Sequence, residues 1–189
     1  QGAIENIPDK YLSEDTKEKL KRFYKALQLS YVEVVAMSNI QDLINGLTDH
    51  DDKKAYECLR KLEERSCQSS IVYSFFDTFV EMLDSDNSYV RTRAFLLITA
   101  NAKWDIDNRI DEIIQRFLEC STDDKPTTAR QCIKVLPTIA KYKPHLKRDI
   151  ENSLRHINLS KYKESMQTLI IKDIQKVLET MNTMSKLKA

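Results

Sequence analysis

Glycine is almost absent from this chain, and its scarcity constrains the fold more than any other feature of the sequence. Only Gly2 and Gly46 occur among 189 residues. Tight turns between strands and phosphate-binding loops need residues that tolerate positive φ, which glycine supplies most readily. The sequence therefore disfavours a sheet, and it disfavours most nucleotide-dependent enzymes because no glycine-rich phosphate loop can be identified.

The composition is that of a folded, helix-rich protein. Apolar residues make up 41% of the chain and charged residues 31%, a balance that indicates a buried core and a charged surface. The apolar runs are far shorter than the ~20 residues that span a bilayer. The start of the chain lacks a basic segment and does not predict a signal peptide. We therefore expect a cytoplasmic protein that makes no membrane contact.

The cysteines and histidines do not predict a metal site. No C-x-x-C pair occurs among Cys58, Cys67, Cys120 and Cys132. A zinc site needs ligand pairs two to four residues apart, and the three histidines are not placed to complete one. We predict buried or half-buried free thiols in a reducing compartment, with no metal and no cofactor.

Helical periodicity runs nearly from end to end. Ser13 caps a predicted first helix that reaches about Leu29. Beyond it, pairs of helices are separated by short acidic turns, at residues 48–52, 84–88, 121–124 and 158–160. The sequence therefore predicts an all-α fold and a single domain. Its predicted parts are an N-terminal segment with a capping helix (1–30), four helical hairpins (31–182) and a C-terminal tail (183–189).

The second helix of each hairpin follows a common register. Small residues recur at intervals of 39, 35 and 36 positions, and an apolar residue follows each of them four positions later. A small residue allows close helix contact, and an apolar residue on the same face fills the core. The small residues are Ala55, Ala94, Ala129 and Ser165, and the apolar ones are Leu59, Ile98, Ile133 and Leu169.

Residues 83–94 carry the most specific motif. Their sequence, LDSDNSYVRTRA, has an Asp, then Val-Arg, then Ala three residues after the Arg. This pattern resembles the central turn of HEAT repeats, and other parts of the chain are similar to small bacterial HEAT-repeat proteins. The resemblance implies a short right-handed α-solenoid of about four HEAT-like hairpins with an N-terminal capping helix. It also implies that Asp86 and Arg91 are partners in a structural ladder between repeats.

Charge is segregated between the two helices of a hairpin. Residues 105–124 sum to −5 and residues 125–143 to +5, and most other hairpins show the same contrast more weakly. The HEAT resemblance implies that second helices line a concave groove, which would then be basic and would attract anions. The candidate binding residues are Arg93, Lys103, Trp104, Arg130, Gln131, Lys134, Lys141, Gln167 and Lys172.

Three functions fit this groove. The first is a non-catalytic scaffold for an acidic protein or peptide. The second is a sequence-nonspecific nucleic-acid binder that uses the same cations, although the sequence pI of 7.8 is low for that class. The third is a DNA glycosylase, because some HEAT-like solenoids place a tryptophan and an aspartate near a basic groove, and Trp104 and Asp105 are adjacent here. The favoured interpretation is that Trp104 packs and that Asp105 or Asp107 caps a helix, with no catalytic residue in the chain.

Overall fold

The computed structural model describes the backbone of residues 14–186 and their side chains, except those of residues 16–17, 29–34 and 185–186. Eight α-helices cover most of these residues, and no strand occurs among them, which confirms the predicted all-α class. The helices are α1 (Glu14–Gly46), α2 (Asp52–Gln68), α3 (Phe76–Met82), α4 (Ser88–Ala100), α5 (Arg109–Glu119), α6 (Pro126–Tyr142), α7 (Lys147–Arg155) and α8 (Glu164–Lys186). Short 3₁₀ segments lie at Ser70–Phe75, Ala102–Trp104, Cys120–Thr122 and Pro144–Leu146.

Helix α1 does not break where the sequence predicted a break. The prediction ended a capping helix near Leu29 and began the first hairpin at residue 31, but α1 is continuous from Glu14 to Gly46. Neither glycine nor proline occurs between residues 9 and 45, so nothing interrupts helical hydrogen bonding there. The chain divides into two compact units, residues 1–42 and residues 43–189, with the boundary inside α1. The predicted cap, Ser13, lies outside the described residues.

The predicted turns between helices are confirmed in residues 43–186. Asp51 caps α2, since its carboxylate accepts hydrogen bonds from the amides of Lys53 at 3.0 Å and Lys54 at 3.4 Å. Asn87 caps α4 in the same way through the amide of Tyr89 at 2.9 Å. Side-chain oxygens at these positions satisfy amides that have no partner within the helix.

The second helices of the hairpins contact one another in chain order. Helix α4 packs against α2 and α6, and α6 packs against α8. The shorter helices α3 and α7 pack against α4 and against α6 and α8, respectively. Aromatic side chains fill the core between them, and Phe95 of α4 meets Phe117 of α5 edge to face at 6.2 Å between ring centroids.

The predicted register holds for three hairpins and is wrong for the fourth. The alanines of α2, α4 and α6 and their apolar partners are almost fully buried. In α8, however, Ser165 is exposed and Leu169 is 36% exposed, whereas Ile170 is fully buried. The core face of α8 is shifted by one residue because two apolar residues, Leu169 and Ile170, are adjacent. The tail prediction is also wrong for residues 183–186, which are helical.

The shifted register predicts unequal effects of two adjacent substitutions. Ile170→Ala should lower the free energy of unfolding by about 2–5 kcal/mol, because it leaves a cavity in the core. Leu169→Ala should change it by about 0.5 kcal/mol or less, because its side chain is at the surface. Urea denaturation followed by circular dichroism measures both, and an equal loss in the two variants would contradict the observed register.

Candidate functional site

Polar contacts between the second and third hairpins recur at one sequence offset. Four of these contacts join residues that are 32 positions apart. A constant offset means that successive contacts are spaced alike along the two hairpins, a few residues short of the 35 that separate Ala94 from Ala129. The four pairs are Tyr73 with Asp105, Asp77 with Arg109, Asp84 with Arg116, and Arg91 with Asp123.

Arg91 contacts the next hairpin, as expected for a ladder residue, but its partner is Asp123, so the predicted pairing with Asp86 is wrong. Its Nε lies 2.6 Å from Oδ2 of Asp123 and its Nη2 lies 2.9 Å from Oδ1, a bidentate ion pair. Its Nη1 donates to the carbonyl of Ser85 at 2.5 Å. The Asp123 side chain is only 3% exposed, while Asp86 is exposed. The hydrogen bond to Asp123 raises the pKa of Arg91 above its ordinary value.

Asp105 is the centre of a buried polar cluster. Its side chain is fully buried, and its Oδ2 lies 2.8 Å from Nζ of Lys143, which is itself only 5% exposed. Its Oδ1 accepts the hydroxyl of Tyr73 at 2.6 Å. The amides of Arg109 and Ile110 donate to the two oxygens at 2.8 and 3.1 Å, so Asp105 anchors the start of α5. Burial favours a raised pKa for Asp105, but these donors outweigh it and the pKa lies below its ordinary value.

Lys143 also fixes the loop that precedes α5. Its ammonium donates to the carbonyl of Asp105 and, at 2.7 Å, to Oδ1 of Asn108. Asn108 has a left-handed backbone with φ of 59°, a conformation that Asn tolerates better than most residues. Asn108 holds the N-cap position of α5 but its side chain makes no capping bond. The predicted capping by Asp105 is observed in that its carboxylate accepts the first two amides of α5, although it lies three residues before the N-cap position.

Trp104 is held against α2. Its indole Nε1 donates to the carbonyl of Ser66 at 2.8 Å, and the ammonium of Lys103 lies 4.5 Å from its ring centroid. Lys103 also donates to the carbonyl of Cys67 at 2.8 Å. Both Lys103 and Trp104 thus make contacts between the first and second hairpins, which makes the tryptophan the packing residue that the sequence favoured.

Two of the predicted groove arginines are used inside the protein. Arg93 is 6% exposed, and its guanidinium donates to the carbonyl of Leu47 at 2.9 Å and to Asp52 at 2.7 Å. Arg130 of α6 binds Asp173 of α8 at 2.5 Å, and this hydrogen bond raises the pKa of Arg130. These arginines therefore join neighbouring helices.

The other groove candidates keep part of their surface in solvent. Lys134 is 52% exposed, with its ammonium 3.6 Å from Asp173. Gln131, Lys141 and Lys172 are exposed. Gln167 is half-buried and donates to the carbonyl of Tyr162 at 2.8 Å, so it supports the loop before α8.

One face of α6 brings the exposed candidates together. Four residues spaced three, four and seven positions apart lie on one side of that helix, and all four are exposed. We call this set the α6 stripe, and its members are Thr127, Gln131, Lys134 and Lys141.

The cysteines are unpaired. Burial raises the pKa of Cys120 to about 11 and that of Cys132 well above its ordinary value, so both are protonated at neutral pH and are poor nucleophiles. Cys67 departs from the prediction of buried or half-buried thiols, because it is exposed.

In the part of the chain that the structure describes, no three His, Cys, Asp or Glu side chains form an arrangement that could hold a metal ion.

No family model, no curated protein and no solved structure matches this chain. The resemblance to HEAT repeats therefore remains a prediction from the sequence. Among residues 14–186, no helix has both the length and the apolar character needed to cross a bilayer.

Sequence reasoning missed the acidic partners of the cations. Asp123 and Asp173 were not singled out, although each is bound by an arginine of the preceding hairpin, Asp123 by Arg91 and Asp173 by Arg130. Lys143 was counted only as part of the charge of α6. The common offset is the signal that could have found the partner of Arg91. It separates Arg91 from Asp123 by 32 positions, as it separates Tyr73 from Asp105.

The buried pair predicts a coupled effect on stability. Lys143→Met should lower the free energy of unfolding by about 3–5 kcal/mol, because it leaves the buried Asp105 carboxylate without its cation. Adding Asp105→Asn should restore part of this loss, since no unpaired charge then remains. Urea denaturation of the two single variants and the double variant measures the coupling.

A control for this cycle is the exposed pair of Lys161 and Asp124, whose side chains are 43% and 89% exposed. Lys161→Met should change stability little, because solvent screens such pairs. Losses for the Asp105 and Lys143 variants that simply add would show that the two side chains are not coupled.

The lowered pKa of Asp105 predicts a specific acid dependence. A carboxylate whose pKa is lower in the folded state stabilises the fold above its ordinary pKa of 3.8, and this contribution is lost as the pH falls through the folded value. The difference in unfolding free energy between the wild type and Asp105→Asn should therefore narrow below about pH 4. Urea midpoints measured from pH 7 to about pH 3 would show it, and a difference that stays constant with pH would exclude this contribution.

Proposed function

We propose that this chain is a non-catalytic binding scaffold, in which α2–α8 form a short right-handed α-solenoid and the α6 stripe binds an acidic protein or peptide. The observation that carries the proposal is the exposure of Lys134 and Lys141 on one face of α6. Lys134 shares Asp173 with the more closely bound Arg130, at 3.6 Å against 2.5 Å, and both lysine side chains extend into solvent, where they can meet an external anion.

The solenoid is supported by the way the hairpins repeat. The second helices contact one another in chain order, and the contacts between the second and third hairpins keep an offset of 32 residues. In a stacked array each hairpin meets only its neighbours, and long-range contacts then fall near one repeat length. The contact of Thr92 with Thr128, 36 positions apart, fits the same pattern.

The position of α6 between two helices supports a groove at its exposed face. On one side of the stripe, Thr128 contacts Thr92 of α4 at 3.3 Å. On the other side, Arg130 binds Asp173 of α8. Lys172 of α8, another candidate binding residue, is also exposed.

An acidic protein or peptide suits this surface better than nucleic acid does. Tyr142 is 39% exposed beside Lys141, whose ammonium lies 5.2 Å from the tyrosine ring centroid, and an aromatic next to a cation is a common anchor at protein interfaces. Arginine is the usual residue for bidentate phosphate binding, but Arg91 and Arg130 are already bound to aspartates. No observation favours the glycosylase alternative, because both oxygens of Asp105 are engaged.

The proposal predicts which charge reversals abolish binding. Lys134→Glu with Lys141→Glu should weaken binding of a fluorescent oligoglutamate peptide at low salt at least tenfold, a loss that corresponds to about 1.4 kcal/mol. The matched control is Lys53→Glu with Lys54→Glu, two exposed lysines of α2 whose reversal changes the net charge equally. Fluorescence anisotropy measures the affinities of all three proteins.

A short DNA duplex in the same assay separates the alternatives. Tighter binding of the duplex than of the peptide, with a steep loss as salt rises, would favour nucleic acid as the partner. Equal losses in both double variants would mean that net charge alone drives association, and the α6 stripe would then not be a site.

A further inference from the structure

The first half of α1 exposes an apolar cluster. Phe23, Tyr24 and Leu27 are 55%, 47% and 50% exposed, and the two rings contact each other edge to face at 6.2 Å between centroids. Isolated exposed apolar residues are ordinary on protein surfaces. Three that adjoin on one helix form a patch, and such patches mark interaction sites.

Charged residues are arranged around this patch in a definite order. At about 100° per residue, Leu20, Phe23, Tyr24 and Leu27 share one face of α1. Lys19 and Lys21 lie on opposite edges of that face, and both are exposed. Of the acids in this segment, Glu18 lies on the opposite side of the helix. Glu14 lies two turns before Lys21 on the same edge, and Asp15 lies beside Lys19, with which it pairs at 2.7 Å.

The charge balance of the segment is positive. Residues 14–28 contain five Lys or Arg and three Asp or Glu. Asp15 lies 2.7 Å from Lys19 and Glu18 lies 3.4 Å from Arg22, both within the helix and largely exposed. Exposed pairs of this kind are weak, so the lysines at the edges of the apolar face can exchange them for other anions.

We propose that this face of α1 binds an anionic lipid surface, with the helix lying in the plane of the interface. Phe23 and Leu27 would enter the boundary of the acyl chains, and Lys19 and Lys21 would extend along both edges to lipid phosphates. Tyr24 suits the same depth, because its ring is apolar and its hydroxyl is polar.

The charge pattern favours a lipid surface over two other occupants. A second copy of α1 placed face to face would bring like-charged lysine edges together, which opposes pairing. An acidic helix could match one edge, but a planar anionic surface meets both edges at once. The sequence predicted no membrane contact because no apolar stretch is long enough to span a bilayer; a helix that lies on a surface has no such length requirement.

The test is co-sedimentation of the full chain with vesicles of phosphatidylcholine, with and without phosphatidylserine. The wild type should bind the vesicles that contain phosphatidylserine and bind pure phosphatidylcholine far more weakly. Phe23→Ser with Leu27→Ser should lower the partition coefficient at least about tenfold, because apolar burial is lost. Lys19→Gln with Lys21→Gln should lower the partition coefficient by about fivefold for each lysine replaced.

The control replaces two apolar residues elsewhere that are at least as exposed as Phe23 and Leu27. Tyr56 and Ile106 are 58% and 84% exposed, and Tyr56→Ser with Ile106→Ser should bind vesicles as the wild type does. This site is independent of the α6 stripe, so Lys134→Glu with Lys141→Glu should leave vesicle binding within about twofold.

Three results would overturn the proposal. The first is no binding to phosphatidylserine vesicles by the wild type. The second is binding that persists in both α1 double variants or is lost in the variant of Lys134 and Lys141. The third is a dimer in light scattering that becomes monomeric in the variant of Phe23 and Leu27, which would identify a second copy as the occupant.

Discussion

The buried carboxylate of Asp105 is the interaction on which the arrangement of the middle hairpins depends. It receives the hydroxyl of Tyr73 from the segment before α3, two amides at the start of α5, and the ammonium of Lys143 from the end of α6. A buried charge is costly unless it is paired and fully hydrogen-bonded. The carboxylate is stable only when all these segments are in place, so one residue couples the positions of three helices.

The same principle explains where the cations of the chain are used. Arg91 and Arg93, two positions apart on α4, point to hairpins on opposite sides, one to Asp123 and the other to Asp52. Arg130 repeats the arrangement between α6 and α8. Much of the charge that is segregated between helices is therefore used to join neighbouring hairpins.

The sequence predicted local features well and non-local ones poorly. Caps such as Asp51 and Asn87 act within a few residues, and their signals are therefore contiguous in the sequence. The partner of Arg91 depends on how one hairpin packs on the next, and the nearest acidic motif, Asp86, was the wrong choice. The register of α8 failed because Leu169 and Ile170 are both apolar, and only packing against α6 decides between them.

Helix α1 differs from the later helices in how its charges are balanced. The ion pairs of Lys19 and Arg22 lie one helical turn away in the same helix, whereas Arg93 and Arg130 reach residues more than 40 positions away. Pairs within a helix support its helical conformation but do not hold it against another element. The ion pairs in the first half of α1 therefore support the helix itself. They do not account for its exposed apolar face, which is bordered by lysines.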